Sequence, residues 1–346
     1  MRRVLTTTIG AFPKPDSIPL TDWFSKPDGN YTQSYLDELA ETTDDALDAA
    51  VHDVVRAQVD AGIDIPTDGE VRRENYIHYL CRHLGGIDFD HLSHRMIRGV
   101  TSSMLPTVTG PITADAPSPL PRDFRVAQAA TDRPVKITLP GPMTIIDSVV
   151  DDHYHDEVLL GADLTAAINR HVLALADAGC THIQIDEPVL ARKPELGLAH
   201  GIEQLDRCFD GLDDGVTRAA HACCGYPNHL DQTDYEKADR HAYLAIAEAL
   251  DATSIDVLSL EDAHAHNDLA DLLGRFRATT IALGVVAIAS SRLEPVDEIR
   301  SRLAEAAAHL PDGRLIAAPD CGLGYLPREL ALDKLRQLSA AARSFD

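Results

Sequence analysis

Eight short apolar runs, each closed by Gly, Pro or a polar side chain and separated by helix-period segments, constrain this chain most. They end near residues 9, 67, 139, 185, 221, 260, 288 and 319. Val4 to Ile9 is a β-branched run closed by Gly10-Ala11-Phe12-Pro13, which reads as strand then loop. From Tyr35 to Asp60, residues such as Leu36, Leu39, Leu47, Val51, Val54 and Val55 mark one helical face, and Gly62 stops it. Ile63-Asp64-Ile65-Pro66-Thr67 then leads into Asp68-Gly69-Glu70. Strand, helix and strand in that order form a βαβ unit.

The alternation persists. Val135 to Leu139 is a strand broken by Pro140-Gly141-Pro142, and a helix over 157–178 ends at Gly179. His182 to Ile185 runs into Asp186-Glu187-Pro188. After the strand Val216 to Ala220, a Gly225-Tyr226-Pro227 loop precedes a helix near 235–250. Further helices are expected over 265–277, 295–310 and 326–343. Only residues 71–132 break the rhythm: Arg72 to Tyr76 reads as a loop or helix start, Leu105 to Ile112 as extended chain. They are expected to form an excursion between the second and third strands, a hairpin or lid. The pattern predicts an α/β chain folded as a single (β/α)8 TIM barrel over residues 1–346. No Gly-x-Gly-x-x-Gly follows the first strand to favour an open doubly wound sheet.

The chain has 346 residues, enough for one large core. Its formal charge of −24 is spread along the chain, with few lysines among the basic residues. Nucleic-acid binding through a basic surface is therefore excluded, and a solvated acidic surface suits a salty cytoplasm. No apolar run approaches the ~20 residues needed to span a bilayer. Val4-Leu5-Thr6-Thr7-Thr8 is too short and polar for a leader, so a soluble cytoplasmic protein is expected. Six scattered cysteines favour metal or free thiols over disulfides.

In such a barrel the C-terminal strand ends carry the chemistry. One strand delivers His221 and Cys223, two residues apart and so on the same face. Later strands end in Glu261 and Cys321. One imidazole, two thiols and a carboxylate suit tetrahedral Zn²⁺. Cys224 alternates to the opposite face and reads as core. Each ligand has a plain structural alternative: Cys321 packing beneath Gly322, Glu261 beside a helix N-cap, His221 as a hydrogen-bonded core histidine. All four would have to converge by accident. Zinc with two thiolates holds a further thiol as a good nucleophile, which fits alkyl transfer to sulfur better than hydrolysis.

Thr6-Thr7-Thr8-Ile9-Gly10-Ala11-Phe12-Pro13, Asp68-Gly69-Glu70, Gln184-Ile185-Asp186-Glu187-Pro188, His221-x-Cys223 and Pro319-Asp320-Cys321-Gly322 carry a resemblance. Together they resemble the catalytic barrel of the cobalamin-independent methionine synthase family, in its short, core form. The resemblance implies that His221, Cys223, Glu261 and Cys321 bind catalytic zinc. It implies that Glu70 and Asp186 hold the amino group of homocysteine, and that Ile9 to Ala11 line its pocket. Two departures stand out: the long form has Ser where Ala11 stands here, and its Asp-Ile-His-Ser motif, whose His protonates the folate, corresponds to Ala287-Ile288-Ala289-Ser290. Short members of the family include enzymes that take their methyl group from a corrinoid. The expected function is therefore zinc-dependent methyl transfer to homocysteine, with a methylcorrinoid or corrinoid protein as donor rather than methyl-folate. The alternatives are another zinc-dependent alkyl transferase with a coenzyme thiol as acceptor, and a zinc-binding partner of a corrinoid protein without activity of its own.

Overall fold

The structure, a computed structural model, describes residues 3–25, 31–97, 101–225, 229–232, 237–239, 241–264 and 266–345. Its strands, in chain order, are β1 (Leu5–Thr6), β2 (Gly85–Ile97), β3 (Thr101–Thr113), β4 (Lys136–Pro140) and β5 (Val150–Asp151). They continue with β6 (His182–Asp186), β7 (Thr217–Ala222), β8 (Val257–Glu261), β9 (Thr280–Val286) and β10 (Leu315–Pro319). Seven of them form one curled parallel sheet in the order β1-β10-β9-β8-β7-β6-β4. Residues 65–67, where a second strand was expected, make single parallel bridges instead: Thr7 to Ile65 and Thr67 to Lys136. These bridges link β1 to β4, the two ends of the sheet. Pro66 contributes to the brevity, since proline cannot donate to a ladder.

Alternation explains which residues face the centre. Ile137, Leu139, Ile183, Ile185, Ala220, Ala222, Leu258, Leu260, Ile281 and Leu283 join the main core beneath the surrounding helices. The intervening residues point inward. Ile9, Ala282, Ile316 and Ala318 form a separate apolar cluster there. Several other inward positions are polar and buried, among them Lys136, Thr138, Gln184, Asp186, His221, Ser259 and Glu261. A bulge between Ala318 and Pro319 shifts the register of β10 against β9 and so changes the side-chain alternation at its end.

The helices follow the predicted rhythm with physical exceptions. The long helix expected over Tyr35–Asp60 is two, Thr32–Glu41 and Asp44–Asp60. Thr42 is extended and Thr43 caps the second helix by accepting from Ala46 N, a role that competes with helix continuation. The helix expected over 265–277 contracts to Leu269–Leu273, capped by Asp268. Short helices at Val189–Arg192, Pro194–Leu196 and Ile202–Arg207 fill a stretch with no clear sequence period. Tyr226-Pro227 and part of the helix start expected near 235 lie outside the described residues, and the helix runs from Ala242 to Asp251. Ahead of β4, β2 and β3 pair antiparallel, and β3 also pairs parallel with β5.

One expectation about apolar runs needs correction. The helix Glu157–Asp177 is long and apolar enough, by length and composition, to cross a membrane. Half of that stretch is buried in the fold. Leu160, Leu164, Ile168, Val172 and Leu175 pack into the core, so its apolar stripe already has a partner.

Candidate active site

β7 sends His221 inward and the chain continues to Cys223 on the same side, while Cys224 joins the core. In register with His221 on β8 is Ser259, whose Oγ lies 3.0 Å from His221 Nδ1. That contact fixes the ring and aims Nε2 at Cys321 Sγ, 3.3 Å away. The ligand atoms of His221, Cys223 and Cys321 all lie within 4.8 Å of one another. The Cys321 thiol donates to Cys223, and that contact, with the His221 imidazole, holds Cys223 well below the usual thiol range despite its burial. Burial alone would pull His221 down, but the Cys223 charge outweighs it and the net shift is upward. Negative charge gathered on sulfur beside an oriented imidazole fits a soft divalent cation.

Glu261 ends β8 beside this group, but its carboxylate is engaged elsewhere. Lys237 Nζ pairs with Oε1, and Cys224 N donates to Oε2 at 3.0 Å. Burial, with Asp320 nearby, pushes Glu261 up to about 7 even against the pull of Lys237. The carboxylate therefore favours a cation at close range.

The acid pole is built by a strained turn. Gly69 and Glu70 have φ of 67° and 56°, so Glu70 is a non-glycine residue in the left-handed region. Such strain persists only where the surroundings hold it. Asp68 Oδ1 accepts from Glu70 N at 3.1 Å, and Arg73 binds Asp68 at 3.0 Å. Thr138 Oγ1 donates to Glu70 Oε1 at 2.9 Å. A Cβ on Gly10 would meet that same oxygen at 2.7 Å, so glycine is needed for the carboxylate to lie against the first loop.

Gln184, to which sequence reasoning gave no role of its own, joins the parts. Its Nε2 donates to Ile9 O at 2.8 Å and to Asp186 Oδ1 at 2.6 Å. Ala11 O in turn accepts from Leu323 N at 2.7 Å, and a Cβ on Gly322 would meet Ala11. The segment Ile9–Ala11 therefore bridges Asp186 and Glu70 to the Cys321 loop. Asp320 is a second residue to which the sequence assigned no function. It accepts from the backbone N–H groups of Asp262, Ala263 and His264, and its Oδ2 lies 2.6 Å from His264 Nδ1. That clasp ties the end of β10 to the loop after β8. Tyr76 is a third: it opens the helix Tyr76–Cys81, capped by Asn75. Burial first, then Asp186, Cys223, Cys321 and Glu70, push its phenol well above the ordinary range.

Burial is the main reason that Glu70 is pushed up to about 7 and Asp186 up to about 6. Both are acids, so each gains charge as pH rises through its value, and an ammonium group binds only the charged form well. If the two acids hold an ammonium group, affinity for an aminothiol relative to propane-1-thiol should rise between pH 5.5 and 7.5, by ~10-fold or more. Calorimetric titration of both thiols across that range measures the ratio. A ratio flat with pH would show that these acids do not hold the amino group.

A buried imidazole, two thiols and a pair of acids thus gather at the strand ends of a curled parallel α/β sheet. The family model for the cobalamin-independent synthase catalytic domain matches residues 4–344, and the chain belongs to that family. It is 28% identical over 330 residues to a methionine synthase of Sulfolobus acidocaldarius, covering 95% of this chain and 88% of the relative. It is also 28% identical to a probable 5-methyltetrahydropteroyltriglutamate–homocysteine methyltransferase of Schizosaccharomyces pombe, over 98% of this chain but 42% of that protein. The solved structure of a B12-independent methionine synthase from Shewanella sp. W3-18-1, in complex with selenomethionine, superposes with a TM-score of 0.86 at 28% identity. That match covers 99% of this chain and 98% of the other. The chain is accordingly a methyltransferase of the methionine synthase family.

Proposed function

We propose that this chain is a zinc-dependent enzyme that transfers a methyl group to the thiol of homocysteine, forming methionine. The supporting observation is the adjacency of two groups at the strand ends, where Asp186 of β6 and His221 of β7 are register partners. The His221, Cys223 and Cys321 donors lie within 4.8 Å of one another, and Gln184 links the Ile9 backbone to Asp186. His221, Cys223, Glu261 and Cys321 would hold Zn²⁺, with Glu261 leaving Lys237 to do so. The bound ion supplies a Lewis acid that keeps the acceptor sulfur ionised and nucleophilic at neutral pH. Glu70 and Asp186 bind the ammonium group, and Ile9 to Ala11 line the pocket around the amino-acid carbons. This fixes the sulfur at one end and the amino group at the other, so that the approach to the methyl carbon is preset. The fold reading that accompanies this is a single (β/α)8 barrel over residues 1–346, with residues 65–67 as its short second strand and 71–132 as the excursion. The enzyme works as a soluble cytoplasmic protein, without nucleic acid or membrane.

The donor is a methylcorrinoid, free or carried on a protein. The carbon–sulfur bond forms as the carbon–cobalt bond breaks, and the electron pair stays on cobalt(I) without needing a proton. Methyl-folate differs, because its N5 leaves poorly unless protonated. Ala289, where the long form keeps its acid, is a buried methyl group. Three observations favour the folate reading. The family model describes a cobalamin-independent synthase, and the Schizosaccharomyces pombe relative is named for methyltetrahydropteroyltriglutamate. His264 is oriented by Asp320 through Nδ1, with no hydrogen-bond partner for its Nε2 among the described residues. Methylcobalamin and methyl-folate supplied separately with homocysteine, at high salt, test the choice. Methionine should form from methylcobalamin and poorly from methyl-folate. Efficient formation from methyl-folate alone, abolished by His264→Ala, would overturn the corrinoid donor.

A further inference from the structure

We infer that Lys237 competes with the metal for the Glu261 carboxylate. It thereby tunes how tightly the ion is held and how readily Glu261 yields its place to the acceptor sulfur. This rests on zinc as the metal and homocysteine as the acceptor. Lys237 Nζ lies 2.5 Å from Glu261 Oε1. The other carboxylate oxygen accepts from Cys224 N at 3.0 Å, so the group lies against the chain directly after Cys223. Lys237 is held at that place from its own side, because Ala238 N donates to Cys224 O at 2.7 Å. That contact runs between backbones and does not depend on the partner Glu261 takes. The ion pair is unequal in depth: the Glu261 side chain is 2% exposed and that of Lys237 24%. The ammonium group keeps some hydration, the carboxylate almost none.

A buried carboxylate needs a cation beside it, so Glu261 exchanges one for another rather than standing alone. Ser259 is the register partner of His221, and Glu261 follows it by two residues as Cys223 follows His221. Glu261 and Cys223 therefore stand level on the inner face of neighbouring chain segments. Turning from Lys237 to the metal is then a side-chain change on a fixed strand. Other cations of this region are committed elsewhere, Arg302 to Asp262 and Lys334 to Glu294. Zinc in such sites takes four ligands, so an incoming thiolate displaces one of them. Of His221, Cys223, Glu261 and Cys321, Glu261 is the one that already has a second cation in contact with it. Lys237 thus opposes the ion when Glu261 binds it, and receives Glu261 when the acceptor sulfur takes its place.

The test compares wild type, Lys237→Met and Lys237→Arg at pH 8, with Lys237→Met also made in a Glu261→Gln background. Zinc affinity is read by competition with a chromogenic chelator, and L-homocysteine binding by calorimetry on the zinc-loaded proteins. Lys237→Met should hold zinc ~10-fold tighter, because Glu261 has no ion pair to give up. It should bind L-homocysteine ~10-fold more weakly, because the displaced carboxylate has no cation to return to. Lys237→Arg keeps the charge and should stay near wild type in both readings. With glutamine at position 261, both effects of Lys237→Met should vanish. Zinc binding unchanged or weakened by Lys237→Met, homocysteine binding unchanged, or effects that persist beside Glu261→Gln would overturn the role of Lys237 while leaving the metal and the acceptor standing. Wild-type protein that fails to bind zinc or homocysteine would instead overturn the proposed function, and this inference with it.

Discussion

Cys321→Ser should strip most of the zinc from the purified protein, lowering affinity at least ~100-fold, because loss of a direct ligand exceeds the effect of losing an outer partner. Cys321 Sγ lies beside His221 Nε2 and completes the three-donor group, so nothing nearby replaces it. Cys224→Ser is the control. Its side chain is in the core, and the contact it makes to Glu261 runs through its backbone N–H, which the substitution keeps. Elemental analysis after dialysis against a weak chelator reads both. Zinc retained equally by wild type and Cys321→Ser would remove Cys321 from the site.

Asp186→Asn and Glu70→Gln should each weaken L-homocysteine by ~10- to 100-fold and hardly change propane-1-thiol, since each removes a charge-assisted contact to the ammonium group. The two acids act through different supports. Asp186 is held by Gln184, whereas Glu70 is held by Thr138 and by a turn with positive φ at Gly69 and Glu70. Glutamine at position 70 keeps the length and the Thr138 contact, so the substitution isolates the charge. Equal losses for both thiols would show that the acids shape the pocket without holding the amino group, and would move weight to a coenzyme-thiol acceptor.

Much of this arrangement was legible because strand periodicity is strict. Residues two apart on β7 and its extension share a face, so His221 and Cys223 could be paired, and Cys224 set aside, from spacing alone. The same rule fails at β10. Strict alternation from the inward Ala318 would turn Asp320 inward rather than Cys321. The bulge at Ala318/Pro319 changes this, bringing Cys321 beside His221 and leaving Asp320 to clasp the loop after β8. The short second strand was hidden for a related reason, since residues 63–67 alternate like a full strand yet make only single bridges. Thr42-Thr43 looked like helix because the apolar spacing continues across it, whereas the Thr43 cap divides the helix there. The Lys237–Glu261 ion pair is a long-range meeting that no local pattern encodes.

The most direct measurement is the zinc-edge X-ray absorption spectrum of the wild-type protein with and without saturating L-homocysteine. Metal held by His221, Cys223, Cys321 and an oxygen ligand should show two sulfurs at about 2.3 Å alone. Homocysteine should add a third sulfur at a similar distance. A zinc-loaded protein whose sulfur count does not change when homocysteine binds would contradict acceptor activation at this site.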